Sequence, residues 1–406
     1  MKIQVMKFGG TSVADPEKIQ RAADRALTAR RRGLAVVVVV SAPGEMTDEL
    51  LALARRIDSR ANGRELDQLM STGEQVGISL FALACQSKGA AASSLTGAQA
   101  GIEVSGKPGD SRIARIRPGR VLKELRKGRI VTVAGFQGIN PQGDVATLGR
   151  GGSDLTAVAL AAALKCARCE IFTDVKGVYT ADPRVVSEAR KLSSISFEEM
   201  LELAGAGAQV MQPRSLELGQ RHRVAIHVRS AFHPSPGTWI LPRDKGAAEK
   251  PRVCALALDR GQARLSVHDM PDRPNSAAQL LSRLSEKGIP VDLIAQSPSP
   301  KRGLAELSLT LPKGFASQAR QALASACRSL KASLELREHV AKVSVVGNGL
   351  RRHPTASARM FETLARHNID IEMIAASDLR LSCVVDSRCA ESAMRALHKA
   401  YGLAKA

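Results

Sequence analysis

The chain has 406 residues, 44% of them hydrophobic, which is enough to fill the cores of two or three globular domains and argues against a disordered protein. Its net charge of +20 is spread along the chain and only 3% of residues are aromatic, a combination that favours anionic small substrates and argues against a nucleic-acid partner. No apolar run reaches the length of a membrane span and no secretory pattern is present, so we expect a cytoplasmic protein with no membrane contact.

Up to about residue 245, apolar runs alternate with amphipathic stretches, as in βαβ units with a buried parallel sheet. Asp15 followed by Pro16 is a typical helix start, with a capping carboxylate and proline in the first turn. The predicted strands cover residues 3–6, 36–40, 130–133, 170–173 and 224–228, and the predicted helices cover residues 16–32, 47–59, 73–87 and 155–164.

Two glycine-rich segments, residues 7–12 and 149–154, lie far apart in the sequence but suit one phosphate site. Glycines let backbone N–H groups approach an oxyanion, and Lys7 adds a positive charge. No Gly-Lys-Ser/Thr follows the first segment, so it is not a P-loop, and taken alone it could be an ordinary strand-to-helix turn. Ligands of parallel sheets bind at the carboxyl ends of strands. The first segment follows such a strand, and together the two segments look like one phosphate cradle, so we expect them to fold side by side.

Residues 242–252 are polar and interrupted by Gly246 and Pro251, which predicts a linker. Beyond it, two stretches follow the same order of strand, loop, helix and strand. Two copies of one small α+β unit are the simplest explanation, and coincidence is the alternative. The predicted strands are 263–267 and 289–294 in the first copy and 341–345 and 369–374 in the second, with helices that end at Lys287 and His367.

Six strings that occur in order resemble the aspartate kinase family: KFGGTSVAD, VVVVSAPGEMTDEL, STGEQ, VAGFQG, TLGRGGSD and TDVKGVYTADPR. The resemblance runs from residue 2 to about residue 402. It implies an α/β protein: a three-layer, parallel-sheet amino-acid-kinase domain at 1–245, followed by two α+β, ferredoxin-like ACT domains at 252–335 and 336–406. Strand 252–258 could pair with the second ACT domain.

The family resemblance implies a reaction as well as a fold. Aspartate kinases transfer the γ-phosphoryl group of ATP to the β-carboxylate of L-aspartate, which gives 4-phospho-L-aspartate at the entry to lysine, threonine and methionine synthesis. Phosphoryl transfer mainly requires positioning and charge stabilisation. The resemblance implies that Lys7 stabilises the transferred group, that Asp154 holds this lysine, and that Arg150 completes the catalytic set.

The resemblance also implies a nucleotide site in which the Tyr179 ring flanks the adenine. Mg²⁺ should bridge the phosphates, and because this ion keeps several waters we assign no metal-ligating residue. The implied ATP-binding residues are Lys7, Phe8, Gly9, Gly10, Thr11, Ser41, Thr173, Asp174, Tyr179, Asp182, Arg184, Gln209 and Val210.

For L-aspartate the family positions are Thr47, Glu74, Arg150, Gly151 and Ser153. The planar guanidinium of Arg150 can bond both oxygens of a carboxylate. Glu74 would accept the ammonium group, and the hydroxyls of Thr47 and Ser153 would bind the remainder. Ordinary structural roles are the alternatives, with Ser153 as a helix cap and Glu74 as a first-turn carboxylate.

One departure from the family pattern lies in the kinase part. Family members commonly read GAKVLHPR where residues 207–214 here read GAQVMQPR. The family's second cation near the phosphates is thus Gln209, and loss of a charge from a water-poor site weakens transition-state stabilisation. We expect an active enzyme that Gln209 limits, unless Arg214 or Lys176 compensates.

In the ACT part the resemblance places an effector site at Asp272, Asn275, Gln296 and Ser297, where Asn275 and Ser297 depart from the usual glycine and asparagine. It implies a homo-oligomer, a dimer or larger, that binds lysine or threonine at a subunit interface. A pure dimerisation platform is the alternative. Two other functions also stay open: a kinase of the same fold for another small acid such as glutamate, and a ligand sensor that has lost catalysis.

Overall fold

The computed structural model describes residues 1–208, 210–243 and 252–404, and these divide into two compact units. The first unit contains Met1–Val178, Lys191–Ala204 and residues 210–243, and the second contains Tyr179–Arg190, Gly205–Ala208 and residues 252–404. Two short segments of the predicted kinase domain thus belong to the second unit. The domain bounds given above stay a prediction.

The first unit contains a mixture of strands and helices. Its strands are β1 (Ile3–Phe8), β2 (Ala35–Val40), β3 (Ala92–Leu95), β4 (Ile102–Ser105), β5 (Arg112–Ile116), β6 (Ile130–Ala134), β7 (Gln137–Ile139), β8 (Val145–Thr147), β9 (Arg168–Thr173), β10 (Ser194–Ser196), β11 (Ala225–Ser230) and β12 (Thr238–Leu241). Its helices are α1 (Pro16–Arg31), α2 (Met46–Ile57), α3 (Arg64–Met70), α4 (Thr72–Ser87), α5 (Gly119–Arg126), α6 (Gly152–Ala163), α7 (Phe197–Gly205) and α8 (Pro213–His222).

The main sheet of this unit has the strand order β10-β12-β11-β9-β1-β2-β6-β3. Neighbouring strands run parallel except for β11 and β12, so the predicted parallel sheet is confirmed. β1 lies between β9 and β2, which brings the carboxyl ends of three strands together. A smaller sheet has the order β5-β4-β7-β8.

Side chains alternate across β1, so the strand presents one set of side chains to the apolar core and the other set to the opposite face of the sheet. Met6 and Phe8 pack in the apolar core with α1 and α4, and the Phe8 ring stacks on Phe172 with centroids 4.7 Å apart. Val5 and Lys7 belong to the other face, against which α6 packs. The strand period therefore directs Lys7 toward the first turn of α6.

The start of α1 was predicted correctly, and the start of α6 was predicted wrongly. Asp15 caps α1 by accepting a hydrogen bond from the Lys18 N–H at 2.8 Å, as predicted. α6 begins at Gly152, earlier than predicted, because Gly151 adopts a left-handed conformation with φ 71° and ends the preceding loop. Ser153 is therefore not the cap. It lies with Asp154 in the first turn, where the aspartate carboxylate can contact Lys7.

The second unit is built on one antiparallel sheet with the order β14-β15-β13-β16-β18-β17. No helix within the described ranges combines the length and the apolar character needed to cross a membrane. The strands are β13 (Arg252–Pro271), β14 (Ile294–Pro298), β15 (Leu304–Pro312), β16 (Ser333–Asn348), β17 (Met373–Ala376) and β18 (Arg380–Asp386), and the helices are α9 (Pro274–Glu286), α10 (Ala316–Ser329), α11 (Pro354–Arg366) and α12 (Ala390–Ala400).

The predicted pair of α+β copies is confirmed, and the copies share two long strands. The later part of β13 pairs with β15 and with the start of β16, while its first residues, 252–259, pair with residues 342–348 of β16. Each copy has its own core, one containing Leu323 of α10 and the other containing Leu364 of α11. The predicted bound between residues 335 and 336 falls inside β16.

The predicted strands 289–294 and 369–374 are wrong at their starts, since the strands begin at Ile294 and Met373. Before them, Gly288 and Asn368 have positive φ and end the preceding helices. Ile289 is buried, but it belongs to the turn out of α9 rather than to a strand. A buried apolar run alone does not distinguish these two states.

A buried charge in the second unit gives a first prediction. The Lys342 side chain on β16 is 0% exposed, forms an ion pair with Asp292 and donates to the Gly205 carbonyl at 3.4 Å. Asp292→Ala should destabilise this unit by about 2 kcal/mol because it leaves a buried ammonium unpaired, whereas Lys342→Met should cost less than about 1 kcal/mol. Thermal unfolding of both variants checks this, and the reverse ranking would contradict it.

Candidate active site

The two glycine segments meet at one ion pair. The Lys7 ammonium lies 2.6 Å from the Asp154 carboxylate, and the two side chains are only 11% and 12% exposed. The prediction that these segments fold side by side is therefore confirmed. A lysine ammonium has three N–H donors, so its pairing with one carboxylate leaves donors for a second anion.

The first glycine segment is held against the loop that follows β2. Gly9 donates its N–H to the Phe172 carbonyl at 3.2 Å, and Gly10 accepts from the Gly44 N–H at 3.0 Å. A Cβ at Gly10 would lie 2.7 Å from the Ala42 carbonyl oxygen, so a side chain cannot be accommodated without a shift. The backbone beside Lys7 is thus fixed by close packing.

Glu74, in the first turn of α4, is a buried carboxylate with one partner missing. Its side chain accepts a hydrogen bond from the Ala42 N–H at 3.2 Å, while its other oxygen, Oε2, has no partner among the described residues. Burial raises the pKa of Glu74 to about 7, against the lowering effect of the Ala42 N–H. An ammonium group is the ligand that would satisfy this oxygen and restore the charged form.

The other predicted substrate residues also lie in the first unit. Thr47 is half-buried on α2, and Ser153 is buried in the first turn of α6. Arg150 is exposed, and within the described part of the chain its guanidinium forms no ion pair or hydrogen bond. Its charge is therefore available for an external anion.

The predicted nucleotide residues are divided between the two units. Thr173 ends β9 beside β1 and donates to the Asp174 carboxylate at 2.9 Å; Phe8, Gly9, Gly10, Thr11, Ser41 and Val210 are in the same unit. Tyr179, Asp182 and Arg184 belong to the second unit, where Arg184 lies 2.8 Å from Asp182 and lowers the pKa of that carboxyl group. Gln209 lies outside the described residues. A nucleotide role for all of these residues stays a prediction.

The four predicted effector residues are all exposed in the second unit. Asp272 follows β13 and Asn275 lies in the first turn of α9, while Gln296 and Ser297 lie on the edge strand β14. Their role in binding an effector also stays a prediction.

Three polar side chains near Arg150 were missed or misjudged from the sequence. Asp67 on α3 received no role, because an aspartate between Leu66 and Gln68 looks like an ordinary helix residue. Gln212 received no role either. Arg214 was a candidate to replace the missing cation, but its guanidinium donates to the Leu148 and Ser111 carbonyls, both at 2.8 Å. Arg214 therefore supports a loop, and Lys176, which is exposed, is the other cation considered for that role.

Comparisons with known proteins cover the whole chain. The model of the Amino acid kinase family matches residues 2–230, and an ACT domain model matches residues 343–401. An aspartokinase of Thermus thermophilus is 43% identical over 407 residues, and the match covers all of both chains. An aspartokinase of Mycobacterium tuberculosis is 41% identical over 407 residues, covering 99% of this chain and 97% of its own.

Solved structures extend this similarity to three dimensions. A crystal structure of E. coli aspartokinase III in complex with aspartate and ADP, in its R-state, matches with a TM-score of 0.82 and 28% identity, covering 98% of this chain and 99% of that one. The same enzyme in complex with lysine and aspartate, in its T-state, matches with a TM-score of 0.75 at 28% identity and the same coverage.

The raised pKa of Glu74 predicts a pH-dependent cost to stability. A carboxyl group with a pKa near 4.5 unfolded and about 7 folded binds a proton on folding, so its stabilising contribution is complete below pH 4.5 and falls as the pH rises through 7. Glu74→Gln removes this loss. The unsubstituted protein should lose on the order of 2 kcal/mol of unfolding free energy between pH 5 and pH 8 through Glu74, and the Gln variant should not. The difference in unfolding free energy between the two proteins should therefore shift by this amount in favour of the variant.

Unfolding of both proteins at the two pH values checks the effect of Glu74, because contributions from other groups cancel in the difference. A difference that does not change with pH would mean that Glu74 is ionised in the folded protein.

Proposed function

This chain belongs to the amino acid kinase family and, within it, to the aspartokinases, and from this premise we propose the reaction that its site performs. The γ-phosphoryl group of ATP is transferred to the β-carboxylate of L-aspartate to give 4-phospho-L-aspartate and ADP. A free carboxylate oxygen is already a nucleophile, so no covalent enzyme intermediate is needed. The protein has to position two anions and to stabilise the charge that builds up between them.

The observation that carries this proposal is the Lys7–Asp154 ion pair at the carboxyl end of β1. Asp154 holds the ammonium of Lys7 in one place, and the remaining N–H donors of Lys7 face the transferred phosphoryl group. The backbone at Gly10 and Thr11 adds donors on a segment that close packing keeps rigid, while the Gly9 N–H is used to hold that segment against Phe172. Donors fixed before the reaction stabilise the transition state without reorganisation.

Recognition of aspartate rests on two opposite charges. Glu74 offers to the ammonium group of the substrate a buried oxygen that has no partner among the described residues, and the guanidinium of Arg150, likewise without a described partner, can bind a carboxylate. Thr47 and Ser153 supply hydroxyl groups. A small acid without a free ammonium group would leave the carboxylate of Glu74 buried and uncompensated, which selects for an amino acid.

Mg²⁺ is proposed to arrive with ATP. Within residues 1–208, 210–243 and 252–404, no group of three or more His, Cys, Asp or Glu side chains is arranged to hold a metal ion. An ion that binds phosphate oxygens and keeps several waters does not need such a group, so the described residues fit a nucleotide-bound Mg²⁺. When bound it neutralises phosphate charge, and Lys7 supplies the fixed positive charge of the protein.

The ACT unit is proposed to bind lysine or threonine and to join subunits in a cytoplasmic homo-oligomer. Both edges of its sheet are open in the described chain, and each carries an exposed isoleucine: Ile294 on β14 is 54% exposed and Ile374 on β17 is 47% exposed. Exposed apolar edge strands are surfaces that another chain can cover.

The reaction has a direct test. The protein is incubated with ATP, Mg²⁺ and L-aspartate in hydroxylamine, which traps an acyl phosphate as a hydroxamate. We expect a hydroxamate with L-aspartate and far less with L-glutamate, and a loss of about 10² to 10³ in rate for Lys7→Met. ATP binding without turnover would instead support a sensor that has lost catalysis.

The pKa of Glu74 predicts the pH dependence of aspartate use. Only the ionised carboxylate binds an ammonium group, so kcat/KM for aspartate should fall by about tenfold per unit as the pH drops below about 7. Glu74→Gln should be slow at every pH and should lose this dependence. An unchanged kcat/KM between pH 7.5 and pH 6 would contradict a role for Glu74 in ammonium binding.

A further inference from the structure

The loop that carries Arg150, residues 148–151, is not fixed by the conformational preferences of its own residues. Gly149 and Gly151, on either side of Arg150, have φ values of 75° and 71°, in the left-handed region that glycine adopts at low cost. Because glycines permit many conformations, contacts from outside this loop must hold Arg150 in one place.

The first contact lies just before the loop. The Asp67 carboxylate accepts hydrogen bonds from the N–H of Thr147 at 2.9 Å, from its hydroxyl at 2.7 Å and from the Gly109 N–H at 3.1 Å. Asp67 is only 2% exposed. The free-energy cost of removing its carboxylate from water is offset by these three charge-assisted hydrogen bonds. These bonds fix the end of β8.

Two further contacts come from the start of α8. Arg214 donates to the Leu148 carbonyl at 2.8 Å and to the Ser111 carbonyl at 2.8 Å, and it lies 3.2 Å from the Asp110 carboxylate. Gln212 donates its side-chain amide to the Arg150 carbonyl at 2.5 Å.

Gln212 also packs over Gly151 so closely that a Cβ on this glycine would collide with its side chain. The backbone is thereby held just before Arg150, at Arg150 itself and just after it.

We propose that Asp67, Gln212 and Arg214 form a brace that positions Arg150 and thereby sets the affinity for the acidic substrate rather than for the nucleotide. The part of the proposal that concerns aspartate rests on the proposed function. The brace itself does not, because it concerns the conformation of one loop. The Lys7 segment is held by other contacts, to Phe172 and Gly44, so the brace can be weakened without moving it.

Two variants weaken the brace and one serves as a control. Gln212→Met keeps the length of a half-exposed side chain and removes its donor, and Asp67→Asn replaces an acceptor oxygen by an amide group. Asp24→Asn is the matched control, because Asp24 is an exposed carboxylate on α1 that forms an ion pair with Lys88 at 2.5 Å. This substitution removes the same charge at a site whose ion pair involves neither α3 nor β8.

The first readout needs no activity. Trypsin cleaves after arginine, and the cleavage rate after Arg150, followed by mass spectrometry, reports the freedom of this loop. We expect cleavage at Arg150 to be at least about fivefold faster in Gln212→Met than in the unsubstituted protein, and unchanged in Asp24→Asn. Equal cleavage rates would overturn the brace, whatever the reaction of the protein.

The second readout separates positioning from simple loss of stability. KM for aspartate should rise by about tenfold in Gln212→Met and in Asp67→Asn, while KM for ATP stays within about twofold and Asp24→Asn changes neither. Parallel rises in both KM values, or a fall in the unfolding temperature with unchanged KM for aspartate, would overturn the inference. Absence of aspartate phosphorylation in the unsubstituted protein would instead count against the proposed function, and the cleavage rates would still decide on the brace.

Discussion

The candidate site of the first unit is organised around the contact between Lys7 and Asp154. The two residues come from segments far apart in the sequence, and two local rules bring them together. The alternation of side chains along β1 directs Lys7 away from the apolar core, and the early start of α6 at Gly152 places Asp154 in the first turn. One ion pair thus joins the carboxyl end of β1 to the first turn of α6, and with it the two segments for which phosphate and substrate binding are proposed.

The candidate site contains charged side chains that contribute little to stability, and other side chains that hold the backbone around Arg150 in place. Glu74 is buried with one oxygen unpartnered among the described residues, which is unfavourable for its charged form, whereas the exposed guanidinium of Arg150 is hydrated. In the proposed function, a zwitterionic ligand supplies the opposite charge to each. The side chains around the Arg150 loop are hydrogen-bonded: Asp67 accepts three bonds, and Gln212 and Arg214 hold the backbone of the loop. In the proposed function, ligand binding and rigidity therefore fall to different side chains.

Much of this could be predicted from the sequence, because it follows from short-range patterns. The parallel sheet, the cap at Asp15 and the two ACT copies rest on local periodicity and residue preferences, whereas the pairing of Lys7 with Asp154 was implied by the family resemblance of the two glycine-rich segments. Contacts made by tertiary packing were missed. Asp67 looked like an ordinary helix residue, and the assignment of segment 179–190 to the second unit depends on Val186 packing in that unit's core.

The most direct test of this account is a double-mutant cycle on Lys7→Met and Asp154→Asn, with rates from the hydroxamate assay. If the aspartate acts only by holding the lysine, the double variant should be no more than about threefold slower than Lys7→Met alone. Two losses that multiply in the double variant would show that the residues act separately, and would contradict a site organised by their ion pair.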